Sequence, residues 1–325
     1  MYDSQKDVVY SRVTDQILLI MINIFHKFPF FRKIALYILN RVVYIMPDTL
    51  YLSIVFYVKV GYSMDFKNPK TYNQKLQWLK LYDQQPTYTT MVDKVEVKEY
   101  VSKLIGEKYI IPTLGVWKSF NEIDFKTMPN QFVLKTSHGG GNCGVYICKS
   151  KDNINRKELG LLFEKAMKQN IYLYNKEWAY KNVPRRILAE QYLEEIGVDD
   201  LHDYKVLCFH GQPKLIEFHS GRNSGNHTQD FYTPEWELTD ITQEGYGQLS
   251  SQKQPQPDCL DEMINLSSLL SAEIPHCRVD WYVVQGKLYF GEITFFDSGG
   301  FCPFDRFEDD ELLGSWIDLK KVKRI

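Results

Sequence analysis

Two carboxylates on neighbouring predicted strands are the clearest sign of chemistry in this sequence. Asp280 and Glu292 lie in two apolar runs, which the two-residue turn signal Gln285-Gly286 joins into a hairpin. Strand geometry then places the two acids nearly opposite each other. Carboxylates that close together in apolar strands are both ionised only when a cation lies between them, and oxygen ligands beside phosphates suit Mg²⁺. We therefore predict a magnesium site here. The alternative is a solvated hairpin edge.

A glycine-rich loop that follows a lysine is the second candidate. Lys135 ends the apolar run 132–135, the glycine-rich segment 137–144 follows, and the run 145–149 comes next. Glycines let backbone N–H groups approach phosphate oxygens, and a lysine adds a positive charge. The lysine precedes the glycines, which excludes a Walker A motif, and no helix opens after the loop, which excludes a Rossmann fingerprint. The pattern favours a hairpin flap over phosphates or a hairpin with only a structural role.

The segment 186–195 is the third candidate, because its apolar run ends in acidic residues. It is either an ordinary strand-to-loop exit or a hinge between two lobes. In a hinge, the backbone would contact the edge of an adenine and an acid would hold the ribose hydroxyls. The segment alone favours the ordinary strand.

The elements around these segments are predicted from apolar periodicity and turn residues. Helical patterns cover 1–66, ending near Gly61, then a helix that opens at 68–71 and runs through Leu81, and helices at about 92–104, 156–169 and 260–274. Strand patterns lie at 110–116, 132–135, 145–149, 186–192, 203–209, 214–219, 277–284 and 287–294, the first two of them expected to be buried. The polar stretch 223–257 is predicted to be an irregular connection, long enough to act as a substrate loop or lid.

The bulk composition excludes some classes of function. A net charge of −2 over 325 residues argues against a general nucleic-acid binder, which is normally basic. The 6 cysteines are scattered without zinc spacing, and the N-terminus has no signal-peptide pattern, so we expect reduced thiols and a cytoplasmic protein.

The stretch 16–47 carries basic and apolar residues and no acidic ones. Its apolar run is too short to cross a bilayer. A basic, aromatic-rich amphipathic stretch can lie on the inner face of a membrane, which would make the protein peripheral. The alternative, which the pattern favours, is a helical layer packed on the rest of the protein.

Several short segments form an ordered set that covers the chain from about residue 60 to its end. These segments are 68–79, 92–94 with Glu96 and Lys98, 114–117, 129–135, 203–205 with Cys208 and Phe209, 278–280, and 289–294. Taken together and in this order, they resemble the TupA-like family of the ATP-grasp superfamily, which is associated with teichuronopeptide and related surface-polysaccharide biosynthesis.

The resemblance implies an α+β ATP-grasp fold, in which two α+β lobes sandwich ATP, preceded by a helical N-terminal region. The regions expected are a helical part at 1–66, a pre-ATP-grasp segment at 67–118, a lobe with flap and hinge at 119–195, and a C-terminal lobe with the magnesium site at 196–325. ATP and Mg²⁺ are the cofactors implied.

The resemblance also implies which residues bind ATP: two lysines at the phosphates, a loop that closes over them, a hinge along the adenine and an acid at the ribose. The lysines are Lys94 and Lys135, the loop is His138, Gly139, Gly140 and Gly141, the hinge is Glu190, Gln191, Tyr192 and Leu193, and the acid is Glu194 or Glu195.

The remaining implied roles concern the reacting groups. Lys205 and Arg222 would face the γ-phosphate or an acyl phosphate, and Arg278 would stabilise the developing oxyanion. Asp280 and Glu292 would bind Mg²⁺. ATP-grasp enzymes commonly carry Glu-x-Asn here, whereas this chain has Thr294 in the asparagine position, so that Thr294 would ligate through its hydroxyl or a water.

The implied activity is ATP-dependent carboxylate–amine ligation through an acyl phosphate. The resemblance suggests a hexuronic acid of a surface polysaccharide, or its precursor, as the carboxylate and an amino acid or similar small amine as the nucleophile. Two rivals are a glycosyltransferase, for which the sequence lacks an acidic D-x-D pair, and a non-catalytic carbohydrate-binding protein. The second would be expected to have lost Lys135, Asp280 or Glu292, and all three are present.

Overall fold

The computed structural model describes residues 29–141, 143–195, 201–221, 225, 227–244, 250 and 252–323. Within these ranges, two antiparallel sheets and surrounding helices confirm the α+β class and the helical region that precedes it. The predicted helical residues 1–28 lie outside the described residues.

The N-terminal region is a pair of helices, α1 (Pro29–Val42) and α2 (Asp48–Val60). The second helix ends at Gly61, whose φ of 94° is the left-handed conformation that glycine adopts without strain. Its apolar residues, such as Leu52 and Phe56, form a small core with α1. The predicted helix end near Gly61 is therefore confirmed.

Helix α3 (Tyr72–Tyr82) opens with a capping box, in which Thr71 accepts from the backbone of Gln74 and the Gln74 side chain accepts from the backbone of Thr71. This confirms the start signal at 68–71. The prediction of a single helix at 92–104 is wrong at its beginning. Short helix α4 (Thr87–Val92) ends there, and α5 (Glu96–Ile105) begins after a break at Asp93.

The first sheet has the strand order β1-β4-β2-β3. Its strands are β1 (Thr113–Trp117), β2 (Phe132–Thr136), β3 (Val145–Cys148) and β4 (Ile187–Gln191), and helices α6 (Arg156–Met167) and α7 (Ile171–Asn175) follow β3. Strands β2 and β3 pair as an antiparallel hairpin, which confirms the strand–glycine loop–strand prediction. The expectation that β1 is buried is wrong, because this edge strand exposes alternate residues to solvent.

The second sheet has the order β7-β6-β5-β8-β9. Its strands are β5 (Asp203–Phe209), β6 (Gln212–Ser220), β7 (Thr228–Tyr232), β8 (His276–Val284) and β9 (Lys287–Thr294). Strand β7 lies inside the stretch 223–257, so the prediction of a wholly irregular connection is wrong there. Its Phe231 and Tyr232 are buried and pair with β6.

Helix α8 (Leu260–Ser271) covers one face of the second sheet, and α9 (Phe307–Ser315) packs on α3. Trp281 of β8 donates to Ser267 of α8 at 2.8 Å, so this residue and its alternates on β8 face the helix. Arg278 and Asp280 therefore lie on the opposite face. Among the described residues, no helix is both long and apolar enough to cross a membrane.

Candidate active site

The β8–β9 hairpin sets the distance between the two predicted metal ligands. Gln285 and Gly286 have φ values of 52° and 71°, the left-handed backbone of a tight two-residue turn. The turn sets the register from the pair Val284–Lys287 to the pair Trp281–Phe290, and a one-residue register shift at Gly291 then brings Glu292 opposite Asp280. The prediction that these two acids lie nearly opposite each other is confirmed. The two carboxylates therefore lie on adjacent strands and on the polar face of the sheet.

A guanidinium occupies the centre of this polar face. Arg278 donates to both oxygens of Asp280, at 2.7 and 2.9 Å, and also bonds Asp297. One of its terminal nitrogens lies 3.7 Å from Glu292, and another lies 3.9 Å from Glu217. The cation that the two facing carboxylates require is thus supplied in part by Arg278.

Lys94 supplies the second cation, since its Nζ lies 2.5 Å from Glu292. Its position is fixed at the break between α4 and α5. Asp93 accepts there from the backbone of Val95 at 2.9 Å and forms an ion pair with Arg186 at 2.5 Å. The backbone of Lys94 donates to Ser137 at the base of the glycine loop, so this lysine and the loop are held together.

A cleft lies between the two sheets and α5. Its centre is the buried carboxylate of Glu190, whose oxygens lie 2.6 Å from Lys98 and 2.7 Å from Lys135. The walls combine apolar groups of α5 and the following segment with the backbone of β9. Lining residues include Val97, Ile110, Ile111, Phe290 and Gly291.

The ionisation of these groups follows from burial and charge together. Burial opposes the charged form of Glu190, but Lys135 and Lys98 outweigh it and lower the pKa of this acid to about 2. Burial likewise opposes ionisation of Glu292. Lys94 and Arg278 outweigh this effect and lower the pKa of Glu292 to about 2. For Asp280, burial outweighs the neighbouring cations and raises the pKa to about 6. Glu190 and Glu292 are therefore ionised at neutral pH, whereas burial disfavours the ionised form of Asp280.

The glycine loop is a tight hairpin connection. A Cβ on Gly139 would lie 2.3 Å from the hydroxyl of Thr136 and 2.8 Å from the carbonyl of Cys143, so a side chain there would force the loop to move. His138 is buried, and burial lowers its pKa. Gly140 and Gly141 are exposed at the tip of the loop.

The remaining predicted site residues are more dispersed. Lys205 is buried on β5 opposite Asp280 and lies 3.7 Å from Glu217. Thr294 lies 3.4 Å from Glu292. Arg222 lies outside the described residues.

The predicted hinge runs out of the cleft. Glu190 is buried and Gln191 is exposed, while Tyr192 and Leu193 are half-buried. Glu195 accepts a hydrogen bond from the backbone of Gln285 at the tip of the β8–β9 hairpin. Gln285 is five residues beyond Asp280, a separation of roughly 16 Å along a strand.

Several charged residues of the site were not singled out from the sequence. Lys98 was noted as part of a motif, without a role. Glu217 and Asp297 are the buried acids that flank Arg278. The buried His219 is hydrogen-bonded to Glu217. The sequence does carry a signal for Glu217 and Asp297, since each is a single acid in or next to an apolar run. An isolated charge in a buried strand needs a partner, so such acids are candidates for a site.

A family model described as TupA-like ATPgrasp matches residues 74–318, which is most of the chain. The chain belongs to the TupA-like ATP-grasp family. The resemblance drawn from the ordered segments is thereby confirmed, and with it the ATP-grasp fold. ATP-grasp enzymes use ATP and Mg²⁺ and act on small-molecule substrates. No curated protein matches this chain.

Three solved structures are similar to this ATP-grasp chain. The D-alanine–D-alanine ligase from Helicobacter pylori has 14% identity and a TM-score of 0.39, and the match covers 77% of this chain and 70% of the ligase. A biotin carboxylase complex with β-γ-ATP from Campylobacter jejuni has 13% identity and a TM-score of 0.40, with 72% of this chain and 47% of the carboxylase covered. A D-alanine–D-alanine ligase from Bacillus anthracis complexed with ATP has 14% identity and a TM-score of 0.36, with 70% of this chain and 57% of the ligase covered. The chain thus spans about half the length of the biotin carboxylase and less than two thirds of the B. anthracis ligase. At these identities and TM-scores the likenesses carry no argument about function.

Proposed function

We propose that this chain is an ATP-dependent carboxylate–amine ligase that forms an amide through an acyl phosphate. The observation that carries the proposal is the pairing of Asp280 with Glu292 across β8 and β9, with Arg278 bonded between two buried acids. A fixed guanidinium thus lies beside the two carboxylates that we propose as metal ligands, and this charge arrangement suits acyl transfer from a phosphorylated carboxylate.

Two lysines are proposed to hold the ATP phosphates. Lys94 and Lys135 are paired with the carboxylates of Glu292 and Glu190. Burial disfavours the ammonium of Lys135, but the charge of Glu190 outweighs it and raises the pKa of this lysine. Lys135 is therefore charged, and both lysines are in position before a nucleotide arrives. Lys98, on the other oxygen of Glu190, adds a third cation to the cleft.

The donor set fits Mg²⁺. Among the described residues, no group of three or more His, Cys, Asp or Glu side chains is arranged to hold a metal. Mg²⁺ does not need one, because it is commonly bound by one or two carboxylates together with phosphates and waters. Asp280 and Glu292 would supply those carboxylates, and the hydroxyl of Thr294 would support them. The ion would neutralise phosphate charge during transfer.

The proposed chemistry has two steps. A substrate carboxylate oxygen attacks the γ-phosphorus of ATP, which releases ADP and gives a mixed anhydride. The amine then attacks the carbonyl carbon, and inorganic phosphate leaves. The oxyanion that develops on the carbonyl oxygen would be stabilised by Arg278, and Lys205 and Arg222 would face the transferred phosphoryl group. The loop His138–Gly141 would close over the phosphates and exclude water.

The adenine is proposed to lie along the segment Glu190 to Leu193. The acids predicted for the ribose hydroxyls are Glu194 and Glu195, and Asp203 is a third candidate. Glu195 lies at the tip of the β8–β9 hairpin, whereas Asp203 pairs in register with Tyr282. Asp203 raises the pKa of Tyr282, and the charge of Lys135 also acts on this tyrosine. Replacing each acid by alanine and comparing the affinity for ATP with that for 2′-deoxy-ATP would separate the three.

The substrates proposed are a hexuronic acid of a surface polysaccharide, or its precursor, and an amino acid or similar small amine. This part of the proposal rests on the association of the TupA-like family with surface-polysaccharide biosynthesis.

The test is ADP release with Mg²⁺-ATP from a panel of uronic-acid sugars crossed with amino acids. The blank is the double variant Asp280→Asn with Glu292→Gln, and the matched control is Asp261→Asn with Glu273→Gln, two exposed acids in and after α8. We expect ADP release that requires both an acid and an amine. The control variant should retain this release, and the blank should lose it. ATP that fails to bind would overturn the proposal. Release of the nucleotide from a nucleotide sugar would favour a glycosyltransferase. Binding of a sugar without turnover of ATP would favour a carbohydrate-binding protein.

We also propose that the outer face of α1 lies on an anionic membrane surface at the cytoplasmic side. One face of the helix packs on α2 through buried Leu39. The other face exposes Phe30 at 68%, Tyr37 at 62% and Ile38 at 55%, beside the basic Lys33 and Arg41. The turn that follows the helix exposes Tyr44 at 75% and Ile45 at 84%. Apolar and basic groups on one face, with no acid between 16 and 47, suit a negatively charged lipid surface.

Co-sedimentation with vesicles tests this surface. We expect the chain to bind vesicles that contain phosphatidylglycerol and to be released by salt, and the variant Ile38→Glu to bind more weakly. Leu161→Glu, which changes an exposed leucine of α6, is the matched control. Equal binding of both variants, or no preference for the anionic lipid, would overturn this proposal.

A further inference from the structure

The charged side chains on the polar face of the second sheet form a row across four adjacent strands. Glu292 of β9 pairs with Asp280 of β8, which pairs with Lys205 of β5. Lys205 pairs in turn with Glu217 of β6. Directly paired residues share one face of an antiparallel sheet, and neighbouring strands lie about 4.8 Å apart. This charged row is therefore roughly 14 Å long, with the proposed metal ligands at one end and Glu217 at the other.

The two carboxylate oxygens of Glu217 have different surroundings. Oε1 is hydrogen-bonded to the Nε2 of His219, accepts from Gln229 at 3.0 Å and lies 3.7 Å from Lys205. Oε2 accepts no hydrogen bond from the described residues, although the side chain of Glu217 is only 2% exposed. A buried carboxylate oxygen without a donor is costly, so this oxygen calls for a donor that the chain itself does not supply.

Oε2 of Glu217 faces the proposed oxyanion donor. It lies 3.9 Å from a terminal nitrogen of Arg278, which is an ion-pair distance and too long for a hydrogen bond. The two side chains are buried to a similar degree, with Arg278 at 7% exposure and Glu217 at 2%. A substrate carbonyl that reaches the guanidinium therefore also comes close to Oε2.

We propose that Glu217 binds the nitrogen of the incoming amine, through a hydrogen bond from that nitrogen to Oε2. The inference rests on the proposed ligase function and adds the place where its second substrate binds. A carboxylate at this position selects a primary amine that arrives as an ammonium ion, the main form of an amino-acid amine at neutral pH. Glu217 is then a catalytic residue that holds the nucleophile beside the acyl carbon.

The order of groups along the charged row matches the order of groups in the reaction. Asp280 and Glu292 lie at the phosphate end as the proposed metal ligands, and Lys205 would face the transferred phosphoryl group. Arg278, beside the row, would hold the carbonyl oxygen. The amine has to approach the acyl carbon from a side that the phosphate does not occupy, and Glu217 lies at that end of the row.

Glu217 is ionised before the amine arrives. Burial opposes its charged form, but Lys205, His219 and Arg278 outweigh burial and hold its pKa well below the usual range. Glu217 therefore binds the ammonium and does not keep its proton. When the lone pair of the nitrogen forms the bond to the acyl carbon, the C–O bond to phosphate breaks. Of the two protons that the ammonium loses, one leaves with the phosphate and the other goes to water.

Hydroxylamine separates amine binding by Glu217 from a role in holding Arg278. It is mostly uncharged at neutral pH, so it does not need the carboxylate, but its attack on the acyl carbon uses the same oxyanion donor. The test compares the full chain and Glu217→Gln with the acid and the amino acid that the panel identifies, and with the same acid and hydroxylamine, which give a hydroxamic acid. Glu237→Gln is the matched control, since this exposed glutamate also pairs with a lysine, Lys253 at 3.1 Å.

We expect Glu217→Gln to raise the KM for the amino acid by about 10–100-fold, because a hydrogen bond between two charged groups is lost. The rate with hydroxylamine and the KM for ATP should not change. Equal losses with both nucleophiles would show that Glu217 only holds Arg278, and no loss would show that the amine binds elsewhere. Either result would overturn the amine site and leave the ligase intact. An unmodified chain that turns over neither nucleophile would instead overturn the proposed function.

A second measurement uses only the unaltered chain. The inhibitor is the analogue of the identified amino acid in which a hydrogen atom replaces the amino group, so that it has the same carbon skeleton but no ammonium. We expect its inhibition constant against the amino acid to exceed the KM of the amino acid by about 10–100-fold. An inhibition constant equal to that KM, or below it, would show that the nitrogen meets no carboxylate and would overturn the proposal.

Discussion

Arg278 holds Asp280 through two parallel hydrogen bonds, from Nε to Oδ1 at 2.7 Å and from a terminal nitrogen to Oδ2 at 2.9 Å. This two-point contact requires the planar guanidinium, because a lysine ammonium is a single point of charge. Since Asp297 binds the same group, Arg278 is oriented from two sides. The proposed oxyanion donor is therefore fixed before any substrate binds.

The variant Arg278→Lys should keep the charge and lose this orientation. We expect kcat for ADP release to fall by about 10²–10³-fold, while the Kd for ATP changes little because Lys94 and Lys135 are untouched. Arg306→Lys is the matched control, since Arg306 holds Asp309 through the same two-point contact at an exposed site. Full activity in Arg278→Lys would show that the guanidinium does not act on the reacting carbonyl.

Lys94→Met should weaken ATP binding. Lys94 lies between the glycine loop and Glu292, one of the two proposed metal ligands. A lost charge-assisted hydrogen bond costs about 1.5–3 kcal/mol, which is about 10–100-fold in Kd. Lys103→Met removes an exposed lysine of α5 that pairs with Glu99, and should bind ATP as the unaltered chain does. Titration calorimetry would measure both. An unchanged Kd in Lys94→Met would remove this lysine from the phosphate site.

Glu190 should stabilise the fold in a pH-dependent way. Its pKa falls from 4.5 to about 2 on folding, so its stabilisation is present above about 4.5 and is lost as the pH falls toward 2. Glu190→Gln leaves Lys98 and Lys135 without their shared carboxylate. We expect it to lower the free energy of unfolding by about 3 kcal/mol at neutral pH, with a difference that shrinks in acid. Urea unfolding at several pH values measures this, and a difference that grows in acid would contradict it.

Lys80 should also make stability rise with pH, but in a higher pH range. It is 1% exposed, donates to the carbonyl of Gly299 at 2.6 Å and lies near Glu177 and Lys59. Burial lowers its pKa to about 7, so the unfolded chain binds more protons between about 7 and 10.5 and stability rises with pH there. The slope is on the order of 1 kcal/mol per pH unit.

The variant Lys80→Met should lose that slope in urea unfolding. Lys67→Met, which removes an exposed lysine, is the control. A slope that persists without Lys80 would assign the proton release to another group.

The sequence predicts the second sheet well where its signals are local. Gln285-Gly286 fixes the β8–β9 register as far as the pair Trp281–Phe290, because a two-residue turn leaves only one alignment. That alignment alone would put Gly291 opposite Asp280, and the register shift that brings Glu292 there instead is not given by the turn. Strand β7 could not be predicted from local signals. It lies in a polar stretch and pairs with β6 across a connection that carries no short turn signal.

The candidate site is only partly readable for the same reason. Asp297 contacts Arg278 from 19 residues away, and Glu217 reaches it from a different hairpin. Neither contact follows from spacing, since both depend on how the strands are ordered in the sheet. The roles taken from the family resemblance, including those of Arg222 and Glu195 and the boundaries of the regions, stay predictions.

Transfer of oxygen from the substrate carboxylate tests the central claim most directly. The unaltered chain would turn over an acid labelled with ¹⁸O in both carboxylate oxygens, with Mg²⁺-ATP and an amine, and mass spectrometry would follow the label. An acyl phosphate predicts that one labelled oxygen appears in inorganic phosphate and the other in the amide. Label that never enters the phosphate, or that enters AMP, would contradict the account.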